Sequence, residues 1–98
     1  MDEDRLRLET IVEPGVGVTI AAHGYLDKTG GEQLARESLD VLAAGQTHLR
    51  IDLENVPLFN CSGARHLVAA IDSLQRRGRE VELVGANSPL QTLLHLNP

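Results

Sequence analysis

The sequence predicts an α/β fold, a mixed sheet of about four strands with helices packed mainly on one face, in the order β-β-α-β-α-β-α. Three observations carry this. Residues 48–54 and 80–83 alternate apolar with charged side chains, which gives strands wet on one face. Ala64, Leu67, Val68, Ile71 and Leu74 repeat at steps of three and four, the strongest helical stripe in the chain. Pro14-Gly15 separates the first two strand-like segments at the spacing of a hairpin.

Each element follows in order. Leu6, Leu8 and Thr10 face one way and form a short edge strand ending at the Pro14-Gly15 turn. Over residues 16–24, Val16, Val18, Ile20 and Ala22 alternate with Gly17, Thr19, Ala21 and His23, a period of two. After Gly24-Tyr25-Leu26-Asp27 the period changes. Leu34, Ser38, Leu39 and Leu42 fall at helical spacing, with Glu32, Arg36, Glu37 and Asp40 mostly on the other side, and Gly45 closes the helix. In the third strand Leu49, Ile51 and Leu53 oppose Arg50, Asp52 and Glu54.

The second helix has marked ends. Asn60 is placed to cap its start, Arg76 and Arg77 sit where the helix dipole favours cations, and Gly78 ends it. Val81 and Leu83 alternate with Glu80 and Glu82 in the fourth strand. The last helix opens on Ser88-Pro89-Leu90-Gln91, a capping-box pattern with Pro at the first helical position, and docks through Leu90, Leu93 and Leu94. Helical crossovers make the later strands parallel neighbours, and the opening hairpin adds an antiparallel edge.

The 98 residues are read as one domain, 1–98. Tyr25 and Phe59 are its only aromatics, so the core is aliphatic. A net charge of −5 disfavours a phosphate backbone as partner, and no dense Lys/Arg run reverses that. No apolar run approaches the ~20 residues that cross a bilayer, and the acidic start is unlike a signal peptide. A cytoplasmic location is expected. Cys61 is the only cysteine, which excludes an intrachain disulfide and a Cys-based zinc cluster.

At this point the order of elements and three motifs resemble the STAS family, named for sulfate transporters and anti-sigma factor antagonists. The motifs are Gly24-Tyr25-Leu26-Asp27 after the second strand; Leu49-Arg50-Ile51-Asp52-Leu53-Glu54-Asn55-Val56 followed by Asn60-Cys61-Ser62-Gly63 at a helix start; and Val81-Glu82-Leu83-Val84-Gly85-Ala86 before the last helix. The resemblance covers residues 6–96, and the central block is its most specific piece. It implies a STAS-like fold and a regulatory protein-binding module of bacterial transcription control, not an enzyme and without a cofactor. The implied partner is a kinase-like anti-sigma factor. An alternative is a STAS subunit of an ABC-type lipid transport complex.

In typical antagonists of this family the four residues read Asp-Ser-Ser-Gly, and the first Ser is phosphorylated by the partner kinase. The resemblance puts Cys61 at that phosphoacceptor position, Asn60 on the Asp and Ser62 on the second Ser. A thiol does not replace the hydroxyl in Ser/Thr phosphorylation. Three readings stay open: Cys61 is a small apolar helix-start residue, Ser62 is an alternative phosphoacceptor, or the Cys61 thiol is a redox switch. The resemblance places the partner-binding edge at Asp27, Lys28, Asn60, Cys61, Ser62, Gly63, Ala64 and Leu67.

Other residues carry no site chemistry. His23, His48, His66 and His95 fall in separate elements without metal-ligand spacing. Cys61 and His66 lie about 140° apart around one helix, which separates them. Asp52 and Glu54 share a polar strand face where solvated charge is the default. Gly15-Val16-Gly17 and Gly30-Gly31 lack the remainder of a nucleotide-binding fingerprint. No nucleophile, base and oxyanion donor fall together.

Overall fold

The computed structural model describes residues 5–45 and 48–95. The acidic start at positions 1–4, the final positions 96–98 and the His95 side chain lie outside what is described. The elements are β1 (Arg7–Glu13), β2 (Gly17–Leu26), α1 (Lys28–Ala43), β3 (His48–Phe59), α2 (Cys61–Arg76), β4 (Glu80–Val84) and α3 (Ser88–His95). They form a four-stranded sheet in the order β1-β2-β3-β4. β1 runs antiparallel to β2, while β2–β3 and β3–β4 are parallel, as the hairpin and the crossovers predict.

Val16 was expected to open the second strand facing inward. It is instead 66% exposed, because its N–H closes the hairpin turn onto the Glu13 carbonyl at 2.9 Å and leaves Gly17 to begin β2. From there the period of two holds: Val18, Ile20 and Ala22 are buried, and Thr19, Ala21 and His23 are only half-buried. The same inward face takes Leu49, Ile51 and Leu53 from β3, and α1 adds Leu34 and Leu42 from above. With Leu6, Leu26, Leu67, Leu74 and Leu90 these make a core without a buried aromatic ring. Each such Leu contributes about 1.5–3 kcal/mol. Ser38, the buried polar residue of α1, donates its hydroxyl to the Leu34 carbonyl at 2.8 Å and so leaves no polar atom stranded.

β3 departs from regular alternation. Ala21 pairs with Asp52, but His23 pairs with Asn55 and Tyr25 with Leu58, so β3 gains one extra residue at each step. Such bulges reverse which face a side chain takes. Burial accordingly jumps from Leu53 to Val56, and Leu58 is left 61% exposed. Asp52 takes part in the first irregularity by accepting the Glu54 N–H at 2.9 Å, a local backbone role that accounts for it without acid–base chemistry. On the wet face, the β3–β4 register sets His48 beside Glu80 at 3.0 Å and Arg50 beside Glu82 at 3.2 Å. These exposed pairs fix register more than they stabilise.

The last helix corrects one expectation. Its cap is Asn87, whose Oδ1 accepts the Leu90 N–H at 2.9 Å, so Ser88 and Gln91 form no capping box and Pro89 is the second helical residue. Gln91 instead donates to the Ala86 carbonyl at 2.9 Å. The Asn87 amide also donates to the Val56 carbonyl at 3.3 Å, which ties α3 to the bulged end of β3. Asn87 can serve both partners because its side chain carries an acceptor and a donor.

Candidate functional site

Parallel pairing brings the ends of β2 and β3 together, with Leu26 opposite Phe59. A helix starts immediately beyond each. Asp27 caps α1 by accepting the Gly30 N–H at 2.7 Å, and Asn60 caps α2 by accepting the Gly63 N–H at 2.8 Å. Both caps are in the extended conformation an N-cap requires. The Asn60 N–H donates to the Leu26 carbonyl at 3.1 Å, joining the two helix starts through the backbone. Its Nδ2 reaches the Tyr25 hydroxyl at 3.4 Å, a donation that an aspartate in its place would not make.

The two first turns touch at glycines. A methyl group on Gly31 would lie 2.6 Å from the Gly63 carbonyl oxygen, and one on Gly63 would collide with the Leu26 carbonyl oxygen. No side chain fits in either place. Gly31 and Gly63 are therefore explained by the close approach of α1, α2 and the end of β2, and Gly30 by the Leu6 side chain and the Tyr25 carbonyl oxygen beside it.

This packing sorts the predicted site residues. Cys61 and Ser62 are exposed at the first two positions of α2, Lys28 is exposed at the first position of α1, and Asp27 and Asn60 are half-buried beneath them. Gly63, Ala64 and Leu67 are buried. These three face the core, behind the exposed residues of the same helix start. Two further residues belong to the same edge. Leu58 stands out from β3 just ahead of Asn60, and Tyr25 lies opposite it in β2. Val56-Pro57-Leu58 alternates as a strand with Val56 and Leu58 on one face would, so the outward turn of Leu58 is not signalled in the run itself.

His66 turns toward α1, where it lies 3.9 Å from Glu32, and away from Cys61. His23 faces Glu9 at 4.0 Å and His48 faces Glu80. Among the described residues no three His, Cys, Asp or Glu side chains gather where a metal ion would be held. An open groove of about 480 Å³ runs between α2, β4 and α3, lined by residues such as Val68, Ile71, Leu83 and Leu94, and shares none of its lining with this edge. Among the described residues no helix is long and apolar enough to cross a membrane.

The STAS domain model matches residues 7–97. The chain belongs to the STAS-domain family. No curated protein shows a significant match to it. Among solved structures, this STAS domain is similar to an anti-sigma factor antagonist from Mycobacterium paratuberculosis, with TM-score 0.76 and 21% identity over 96% of this chain and 79% of that one. It is also similar to the anti-sigma factor antagonist SpoIIAA in its unphosphorylated form, with TM-score 0.74 and 16% identity over 94% and 84% of the two chains. The phosphorylated form of SpoIIAA, a Bacillus cell fate determinant, gives TM-score 0.73 and 15% identity over 92% and 82%. The shared fold is thus that of anti-sigma factor antagonists, with the helix start at Asn60 set on the exposed end of the parallel strands.

Proposed function

We propose that this STAS domain is a protein-binding regulatory module of the anti-sigma factor antagonist type, acting in the cytoplasm without chemistry of its own. It binds a kinase-like anti-sigma factor through the edge formed by Asp27, Lys28, Asn60, Cys61 and Ser62, with Leu58 as the apolar contact beside them. The observation that carries this reading is the pairing of two capped helix starts. The fused first turns of α1 and α2 present Cys61 and Ser62 to solvent on a rigid base, next to a large apolar side chain that the core does not use.

The same geometry explains how such a surface is controlled. First-turn N–H groups have no helical acceptor and favour an anion, and a phosphoryl group would add about −1.5 to −2 charge beside Leu58. SpoIIAA exists in both unphosphorylated and phosphorylated forms. In this chain Cys61 stands at the acceptor position and lacks the hydroxyl. The antagonist is therefore refractory to the ordinary switch and stays in its binding form.

Incubation with the kinase-like anti-sigma factor and ATP tests this. Wild type should take up no phosphate, and Cys61→Ser should gain it. Stoichiometric phosphate on wild type that disappears in Ser62→Ala would replace the refractory reading with one in which Ser62 is the acceptor. Recovery of membrane transporter subunits with the chain, and of no anti-sigma protein, would contradict the assigned partner.

A further inference from the structure

A second surface runs along the outer side of β1. Among the described residues β1 has a strand neighbour on one side only, so its outer row of backbone groups is open. The strand also exposes apolar side chains, Ile11 at 44% and Val12 at 57%. Natural edges are usually protected by prolines, bulges or charged side chains; β1 pairs with β2 in unbroken register, and its edge charges, Arg7, Glu9 and Glu13, are of both signs.

From this edge we propose that β1 pairs antiparallel with β1 of a second copy of this chain, joining two four-stranded sheets into one continuous sheet. Overlap of the whole strand, Arg7–Glu13, together with charge selects the register. A two-fold axis perpendicular to the sheet keeps each side chain on its own face, so only pairings centred on a single residue are allowed. Centred on Glu9, the pairing sets Glu9 against Glu9. Centred on Ile11, it sets Glu9 against Glu13 twice. Centred on Thr10, it places Arg7 opposite Glu13, Leu8 opposite Val12 and Glu9 opposite Ile11, each twice, and Thr10 opposite Thr10, with no like-charge pair directly opposed within β1, while Glu37, which accepts the Thr10 hydroxyl at 3.0 Å, approaches the axis from each copy. Arg7 and Glu13 are exposed and have no ionic partner within the described chain, so both are available to a second copy.

The other sheet edge does not offer this. On β4 the register that overlaps the whole strand sets Glu82 against Glu82. β1 adjoins β2 in the sheet, but the proposed contact runs along the outer side of β1, whereas the Asn60 edge is carried at the ends of β2 and β3.

Sedimentation velocity over a concentration series tests the pairing. Wild type should show a monomer–dimer equilibrium below about 1 mM. Arg7→Glu and Glu13→Arg, each replacing two unlike pairs with two like ones, should weaken the dimer by roughly tenfold or more. The double variant R7E/E13R exchanges the charges and should restore it. All three variants should melt as wild type does, since neither residue touches the core. A wild type that stays monomeric throughout, or a dimer indifferent to both single reversals, would overturn the proposal.

Discussion

Asn60 does three things with one side chain and one backbone group: it caps α2, reaches Tyr25 and binds the Leu26 carbonyl. Replacing it with alanine removes the cap and should lower stability by about 1 kcal/mol, read from urea denaturation, whereas Asn60→Asp keeps the cap and should cost less. Gly63 is under a harder constraint. An added methyl group meets the Leu26 carbonyl with no flexible atom to give way, so Gly63→Ala should destabilise by about 1–3 kcal/mol in the same measurement. Cys61 is different again, being exposed and without a packing role. Cys61→Ser should leave stability within about 0.5 kcal/mol of wild type, which makes it a clean probe of the hydroxyl. The residues that shape the edge are thus separable by experiment from those that would meet a partner.

The elements differ in how much of them the sequence reveals. Both ends of α2 are legible because its cap, its apolar stripe and its terminal glycine are local signals, and the structure runs from Asn60 to Gly78 as those signals require. The bulges of β3 are not legible, since an extra residue appears only against the pairing with β2, and no property of Glu54 or Asn55 alone announces it. The outward turn of Leu58 is hidden for the same reason, since it depends on two shifts upstream. At α3 two capping residues compete side by side, and Asn87 prevails over Ser88 because its amide also bonds back to the Val56 carbonyl. Asn87→Ala should therefore cost about 1 kcal/mol, with the loss confined to faster hydrogen exchange in α3 while α1 and α2 keep their protection.

At the scale of the molecule, strand order and helix placement follow from alternation and crossover rules, so the wet face of β3 and β4 is legible in the sequence alone. Those rules also put the ends of β2 and β3 on one edge, and Asp27 and Asn60 with them. The burial of Ala64 and Leu67 follows from the apolar stripe of α2, whereas the depth of Gly63 was not readable, because it results from the close approach of the end of β2 and the first turn of α1, elements far apart in sequence. The edge is built to present a surface rather than to yield, with its glycines packed backbone to backbone. The central claim is that this surface, and no other, meets the protein partner. Isothermal titration of the kinase-like anti-sigma factor with wild type, Leu58→Asp and Cys61→Asp tests it most directly. Binding by wild type, and affinities at least about tenfold weaker for both variants at unchanged melting temperature, is the predicted result, each charge costing about 1.4 kcal/mol or more. Equal affinity for all three would contradict the account, because the helix start would then not be the interface.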